Sequence, residues 1–93
     1  MMIEIEKVTE DRFKVILNSK IRTEHHIVLT DSLHIKITKN KVSKRELILF
    51  SFEFLLKMEP NTSILAEFDL GEISRFYPKF LRETEEWCTN IKS

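Results

Sequence analysis

Residues 42–59 most constrain what this chain can fold into, because they are mainly apolar and carry a helix signal at each end. Ser43 and Glu46 stand three positions apart, the spacing of a capping box in which each side chain accepts from the other residue's backbone N–H. Pro60 disfavours helical geometry in the residue before it. The sequence therefore predicts one helix over residues 43–59.

Apolar side chains cover most of the circumference of this predicted helix, and Glu46, Glu53 and Lys57 form a narrow polar stripe at helical spacing. Val42 and Leu47 have the spacing of a hydrophobic staple across its first turn. Such a helix needs cover on several sides, so we expect it to be the centre of the core. A bilayer span needs about 20 mostly apolar residues, so we expect no membrane partner.

Three segments with alternating polarity precede the helix. Residues 2–7 and 12–17 place apolar side chains at every second position, which is the period of a half-buried strand, although Ile16 breaks the polar face of the second segment. Residues 21–29 follow the same period less strictly, with Ile21, Thr23, His25 and Ile27 on one face. Short polar segments separate them and favour successive hairpins. The sequence therefore predicts a three-stranded antiparallel meander that needs helices on its apolar face.

Residues 31–38 fit two different structures. Apolar and polar side chains alternate from Leu33 to Ile37, as in a fourth strand. A short helix is the alternative, with Thr30 or Asp31 as its N-cap and Leu33 and Ile37 four positions apart. The residues alone favour the strand and leave the helix open.

Helix signals return after Pro60. Asp69 and Glu72 have capping-box spacing, which predicts a helix over residues 69–76. Pro78 ends that helix and suits the first position of another, over residues 78–91. Because the strands are gathered at the start and the helices follow, we predict an α+β fold in which the meander packs against the central and C-terminal helices.

Composition narrows the class of protein. The 93 residues suit a single domain, and the 15 basic and 15 acidic residues cancel. No overall charge therefore draws the chain toward nucleic acid or an anionic surface. A single cysteine, Cys88, permits no internal disulfide, and no basic-then-apolar leader opens the sequence, so we expect a cytoplasmic protein.

Two motifs in the second half, FSFEFLLKMEPNTSIL and FDLGEISRFYPKF, resemble a family of short bacterial hypothetical proteins. That family shares a helix ending in S-F-E-F-L-L-x-x-E-P-N-x-S-I-L, followed by F-D-L and I-x-R-Y-F-P-E-F. Here Phe76 and Tyr77 invert the usual order, and Lys79 stands where an acid is usual. The resemblance implies a helix over residues 31–38, but it carries no catalytic or binding residue.

Residue types for catalysis or metal binding are present but badly spaced. His25 and His26 are neighbours on a predicted strand, so they point to opposite faces and cannot bind one metal ion together. His34 has no partner at ligand spacing, and Cys88 lies on the apolar stripe of the last helix as a small hydrophobe. With one glycine there is no phosphate-binding loop. We expect no catalytic residue, metal or cofactor, and no enzyme.

One run of bases without an acid precedes and enters the central helix, and it comprises Lys36, Lys39, Lys41, Lys44 and Arg45. The last two lie in the first turn of the helix, where the dipole favours anions. A phosphate bound there would relieve this conflict, which makes nucleic-acid binding one hypothesis. No aromatic residues interleave the bases, as a stacking surface would require. The alternative is a solvated loop.

The other candidate surface is the segment of residues 73–80 together with the last helix. Two consecutive aromatic residues before Pro78 are difficult to bury together, so we expect Phe76 or Tyr77 to be exposed. Arginine, tyrosine and tryptophan are enriched at protein interfaces. The predicted contact residues are Arg75, Phe76, Tyr77, Phe80 and Trp87. The alternative is that all of them pack on the central helix, with the tyrosine hydroxyl at the surface.

These observations predict a small cytoplasmic binding or adaptor protein. It would act through contacts with a protein partner or with itself as a homodimer, using the aromatic segment of residues 73–80 and the last helix. The alternative is a nucleic-acid-associated regulator that uses the basic segment of residues 36–45. Neither hypothesis identifies the partner or the biological process.

Overall fold

The computed structural model describes residues 2–92. Within this range, four strands and four α-helices follow one another, with single 3-10 turns at Asn61–Ser63 and Leu70–Glu72. The elements are β1 (Met2–Lys7), β2 (Arg12–Asn18), β3 (Thr23–Val28), α1 (Asp31–Thr38), α2 (Lys44–Met58), β4 (Glu67–Asp69), α3 (Ile73–Phe76) and α4 (Phe80–Lys92). The predicted α+β class is confirmed.

The strands form one mixed sheet in the order β1-β2-β3-β4. β1, β2 and β3 pair antiparallel in succession, whereas β4 pairs parallel with β3 and places Phe68 opposite Ile27. The three predicted strands therefore form an antiparallel meander, but the prediction of a three-stranded sheet is only partly right, because a fourth strand extends it. A three-residue strand is too short to show alternation. Its parallel pairing requires a long crossover, which α1 and α2 provide.

One face of the sheet forms part of the core. Phe13, Val15 and Leu17 of β2 are at most 5% exposed, and His25 and Ile27 of β3 are at most 1% exposed. These residues occupy alternate positions, as side chains on one face of a strand must. The alternating pattern therefore places the buried face correctly, and the helices pack over it.

The third strand is shorter than the predicted 21–29. Ile21 lies before it, 62% exposed, and its carbonyl accepts a hydrogen bond from the Asn61 side-chain amide at 2.8 Å. Leu29 lies after it and is fully buried, and its N–H donates to the Asp11 carbonyl at 2.7 Å. Both ends are thus held by contacts outside the strand ladder.

Residues 31–38 are a helix, α1, which decides between the two structures that the residues left open. The Thr30 side chain accepts from the Leu33 N–H at 3.2 Å as the N-cap. His34, Ile37 and Thr38 form the buried face at helical spacing. The helix ends at its C-cap Lys39, whose N–H still donates to the Ile35 carbonyl one turn earlier and whose left-handed backbone (φ 56°) then turns the chain out of the helix. The end caps and this buried face outweigh the local alternation.

α2 begins as the sequence predicts. The Ser43 hydroxyl accepts from the Glu46 N–H at 3.1 Å, and the Glu46 carboxylate accepts from the Ser43 N–H at 3.0 Å, so the capping box is complete. Leu47 and Phe52 are fully buried. The Phe52 ring packs between those of His25 and Phe68, at centroid distances of 5.6 and 6.1 Å. α2 therefore forms the centre of the core.

The capping box predicted for Asp69 and Glu72 does not form in the described part of the chain. The Asp69 carboxylate accepts instead from the Gly71 N–H at 2.9 Å and caps a single 3-10 turn before the short α3. The predicted helix over 69–76 is therefore a 3-10 turn followed by four α-helical residues. Asp69 is also the last residue of β4, where pairing with Val28 fixes its backbone.

α4 begins two residues later than the predicted position 78, because Pro78 and Lys79 lie in a turn. Phe80, Thr84 and Cys88 are its buried residues, each at most 3% exposed and spaced four apart. None of the helices within residues 2–92 is long and apolar enough to cross a membrane.

Candidate functional site

An open groove, which we call the corner groove, lies beside the C-terminal end of α2 and has a volume of about 220 Å³. The loop of residues 63–65 and the segment from β4 to Tyr77 form its other walls. Its apolar lining residues are Leu55, Ile64, Leu65, Phe68, Ile73 and Phe76, and its polar ones are Glu59, Ser63, Glu72 and Tyr77. The groove is therefore an apolar depression with two carboxylates in its walls.

Phe76 and Tyr77 have different environments, as the sequence led us to expect. Phe76 ends α3 and is 65% exposed. Tyr77 is half-buried; its ring contacts the edge of Phe54 at 5.8 Å between centroids, and its hydroxyl donates to the Glu59 carboxylate. The backbone leaves the helix at Tyr77, just before Pro78. Phe76 is thus the aromatic residue that is available at the surface.

The hydrogen bond to Glu59 raises the pKa of Tyr77, and burial and the charge of that carboxylate add to the effect. The hydroxyl therefore stays protonated and acts as a donor around neutral pH. Because Tyr77 is held on one side by Phe54, this bond fixes the position of the Glu59 carboxylate at the groove wall.

The other predicted contact residues lie outside the corner groove. Phe80 is fully buried, and Trp87 is half-buried and stacks on Phe50 at 4.4 Å between ring centroids. Arg75 is exposed but does not line the groove. The structure therefore brings Phe76 and Tyr77 together at one site and places Phe80 in the core.

Several groove residues are not evident from the sequence, above all Glu59, Leu65 and Glu72. Leu65 follows the buried Ile64 in a short loop and is itself 50% exposed. Two adjacent apolar residues in a loop are a signal of the same kind as Phe76 and Tyr77, since both cannot face inward. No comparable signal marks either glutamate, because exposed acidic residues are common.

The predicted basic segment is divided by the structure. Lys36, Lys39, Lys41 and Arg45 are exposed. Lys44 instead has a side chain that is only 13% exposed, and its Nζ contacts one carboxylate oxygen of Asp31 at 2.8 Å and one of Asp11 at 3.3 Å. It also donates to the Glu10 carbonyl at 2.8 Å. Lys44 therefore has a structural role, and the other four bases of the segment are exposed to solvent.

Acidic partners determine the ionisation of Lys44. Burial by itself would lower the pKa of Lys44, but its hydrogen bonds to Asp31 and Asp11, together with their charges, raise it. The same hydrogen bond, and the charge of Lys44, lower the pKa of Asp31. Of the two cations expected in the first turn of α2, Lys44 is thus paired with protein carboxylates and needs no bound phosphate, whereas Arg45 is exposed.

The three histidines have separate environments. His25 is buried, and its Nδ1 donates to the Leu65 carbonyl at 2.7 Å while its Nε2 lies 2.9 Å from the Thr23 hydroxyl. His26, the next residue, is exposed on the opposite face. His34 is buried and donates from Nε2 to the Val42 carbonyl. Both buried histidines therefore have structural hydrogen bonds.

Metal and thiol chemistry find no support in the described part of the chain. No group of three or more histidine, cysteine, aspartate or glutamate side chains within residues 2–91 could hold a metal ion. Cys88 is buried in the core, and burial raises the pKa of its thiol. A neutral buried thiol is a poor nucleophile.

No protein-family model matches the chain, and neither the curated proteins nor the solved structures contain a significant match. The resemblance of the second half to short bacterial hypothetical proteins therefore remains a prediction. The candidate site rests on its geometry alone.

Proposed function

We propose that this chain is a small cytoplasmic protein-binding or adaptor module that binds its partner in the corner groove and is not an enzyme. The observation that carries the proposal is apolar surface left open at the groove, where Phe76 is 65% and Leu65 50% exposed. Single exposed apolar residues are ordinary, but these two line one apolar groove, and a ligand-binding groove is one reason for apolar side chains to stay exposed.

The size of the groove supports a protein partner. Sites for cofactors and drug-sized molecules have volumes of about 300–1,000 Å³. The corner groove, at about 220 Å³, is smaller and suits a large apolar side chain from a partner. Aromatic anchors in such small pockets commonly dominate the binding energy of protein interfaces.

Capture from nuclease-treated lysate tests the proposal, with three tagged proteins compared side by side. Phe76→Ser removes the exposed anchor of the groove. Ile35→Ser is the matched control, because Ile35 is also helical and exposed (51%) but does not line the groove. We expect the wild type and the control to retain the same proteins, identified by mass spectrometry, and Phe76→Ser to lose them.

An identical set of proteins on all three columns would contradict the proposal. The homodimer form of it is tested by light scattering on the purified proteins. If self-association occurs through the groove, the wild type and Ile35→Ser are dimers and Phe76→Ser is a monomer. A wild type that stays monomeric at high concentration excludes that form.

The basic segment carries the second candidate function, binding of nucleic acid by a regulator. It is favoured by the exposure of Lys36, Lys39, Lys41 and Arg45 around the loop between α1 and α2. Binding of this kind falls steeply with salt concentration. A fluorescent DNA or RNA duplex tests it: absent or salt-independent binding, or no loss on changing these four residues to glutamine, would exclude it.

A further inference from the structure

The corner groove combines apolar walls with acidic groups that have no basic partner. Glu59 and Glu72 are its two acidic lining residues, and none of the ten lining residues is basic. Within residues 2–91, neither carboxylate forms an ion pair with a lysine, arginine or histidine. At the other end of α2, by contrast, Lys44 has two aspartates as partners. The groove therefore carries two carboxylates that form no ion pair with any base among the described residues.

The position of Glu59 is held before any partner arrives. It is the C-cap residue of α2, and its carboxylate accepts from the Tyr77 hydroxyl. Glu72 is half-buried at the end of the 3-10 turn that precedes α3. Carboxylates in partly buried positions interact with a cation more strongly than exposed ones, because water screens them less.

We propose that the occupant of the corner groove is a short segment of a partner protein in which a large apolar side chain is adjacent to a lysine or arginine. The apolar side chain would pack against Phe76 and Leu65, and the cation would pair with Glu59 and Glu72. This inference rests on the proposed function and adds the chemistry of the partner. Arginine suits it best, because a guanidinium can form paired hydrogen bonds with a carboxylate.

Selection from a random peptide library displayed on phage tests this chemistry directly. The immobilised proteins are the wild type, Phe76→Ser, the double variant Glu59→Gln with Glu72→Gln, and a control with Glu85→Gln and Glu86→Gln. The control removes the same charge from exposed residues of α4 that do not line the groove. We expect the wild type and the control to enrich peptides with lysine or arginine adjacent to a large apolar residue.

A selected peptide is then synthesised and its affinity is measured at low and high salt. We expect the Glu59 and Glu72 double variant to bind about tenfold more weakly at low salt, with a smaller difference at high salt. We expect Phe76→Ser to bind more weakly at both salt concentrations, because it removes an apolar contact.

The two proposals fail in different ways. Two results would overturn the proposal of a basic partner: selected peptides that need Phe76 but carry no lysine or arginine, and peptides that bind the glutamine double variant as well as the wild type. In both cases the groove would still be a binding site. Failure to select any peptide that depends on Phe76 overturns both.

A second copy of this chain is another outcome, since Lys20, Ile21 and Arg22 form an exposed segment of the required kind. Dimers that dissociate on Ile21→Ser would assign the groove to self-association and overturn a separate partner.

Discussion

The two ends of α2 differ in whether their polar and charged groups have partners within the chain. At the N-terminal end, the side chains of Ser43 and Glu46 cap two backbone N–H groups, and Lys44 forms ion pairs with two aspartates. At the C-terminal end, the Tyr77 hydroxyl is the only side-chain partner of the Glu59 carboxylate within residues 2–91, next to an open apolar groove. One end is closed by interactions within the chain, whereas the other keeps apolar surface and charge available.

This difference suggests how the stability and the function of the protein are distributed. A cap, a partly buried ion-paired lysine and a buried leucine all lower the free energy of the folded state. Exposed apolar side chains and unpaired carboxylates contribute little to that free energy. Changes at the N-terminal end of α2 should therefore reduce stability, and changes at the C-terminal end should reduce binding.

The largest effect on the free energy of unfolding is expected when a leucine is replaced by alanine near each end of α2. Leu47→Ala removes a fully buried side chain and should lower the free energy of unfolding by about 2–4 kcal/mol. Leu65→Ala removes one that is 50% exposed and should change it by less than about 0.5 kcal/mol. Urea denaturation measures both. Equal losses would show that the two ends do not differ in this way.

The ion-paired lysine gives the next largest effect. Lys44→Ala leaves the Asp31 and Asp11 carboxylates without their cation and should cost about 1–1.5 kcal/mol at low salt. Arg45→Ala, the neighbouring exposed base, is the control and should be neutral or slightly stabilising, because it removes a cation from the first turn. Urea midpoints at two salt concentrations check this, and a loss as large in the control would contradict it.

The capping box gives an effect of about 1 kcal/mol. Ser43→Ala removes the acceptor for the Glu46 N–H, whereas Ser43→Gly should cost only a few tenths of that. Ser63→Ala at the rim of the corner groove is the matched control, because Ser63 is exposed and makes no side-chain cap. Thermal unfolding of the four proteins measures the differences. A control that loses as much stability as Ser43→Ala would argue against the cap.

The smallest effect is a change of stability with pH. The pKa of Asp31 is lowered in the folded state by Lys44, from an ordinary value of 3.8. Its contribution is therefore present above about pH 3.8 and is lost as pH falls through the lowered folded value. The stability difference between the wild type and Asp31→Asn should be constant between about pH 5 and pH 7, where the Asp31 carboxylate is ionised in both the folded and the unfolded state. It should shrink as the pH falls below about 3.8.

Removing the cation should remove most of that pH dependence. On the Lys44→Ala background, Asp31 has lost the main partner that lowers its pKa, and only the weaker charges of His34 and Lys7 remain, so the effect of Asp31→Asn should change much less with pH. Urea midpoints between pH 7 and about pH 2.5 provide the measurement. A dependence that is as large without Lys44 would show that Lys44 is not the main cause of the lowered pKa of Asp31.

Two segments with the same capping pattern show how far sequence reasoning extends. At Ser43 and Glu46 the predicted box forms, because a long helix follows it. At Asp69 and Glu72 it does not, because Asp69 belongs to β4 and only four α-helical residues precede Tyr77. A capping motif depends on neighbouring residues, but a helix forms after it only if the following residues can also adopt helical geometry.

The candidate site was only partly predictable for a similar reason. Pro78 made it possible to expect an exposed aromatic residue at position 76 or 77, and Phe76 is that residue. The walls formed by Glu59, Leu65 and Glu72 could not be predicted, because pairing of β4 with β3 brings them together. Trp87 is also a residue type that is common at interfaces, but in the structure its ring stacks on Phe50.

Local patterns in the sequence were sufficient for the meander, for α2 and its N-cap, and for the apolar stripe of α4. These features depend on residues two to four positions apart, whose geometry is set by strand and helix periods. The residues alone left 31–38 open between strand and helix, and the resemblance favoured the helix that the structure has. Only the tertiary structure decided that β4 joins the sheet and that Lys44 is paired. Each of these depends on distant residues; the partner Asp11, for example, lies 33 positions from Lys44, and local spacing carries no information about such contacts.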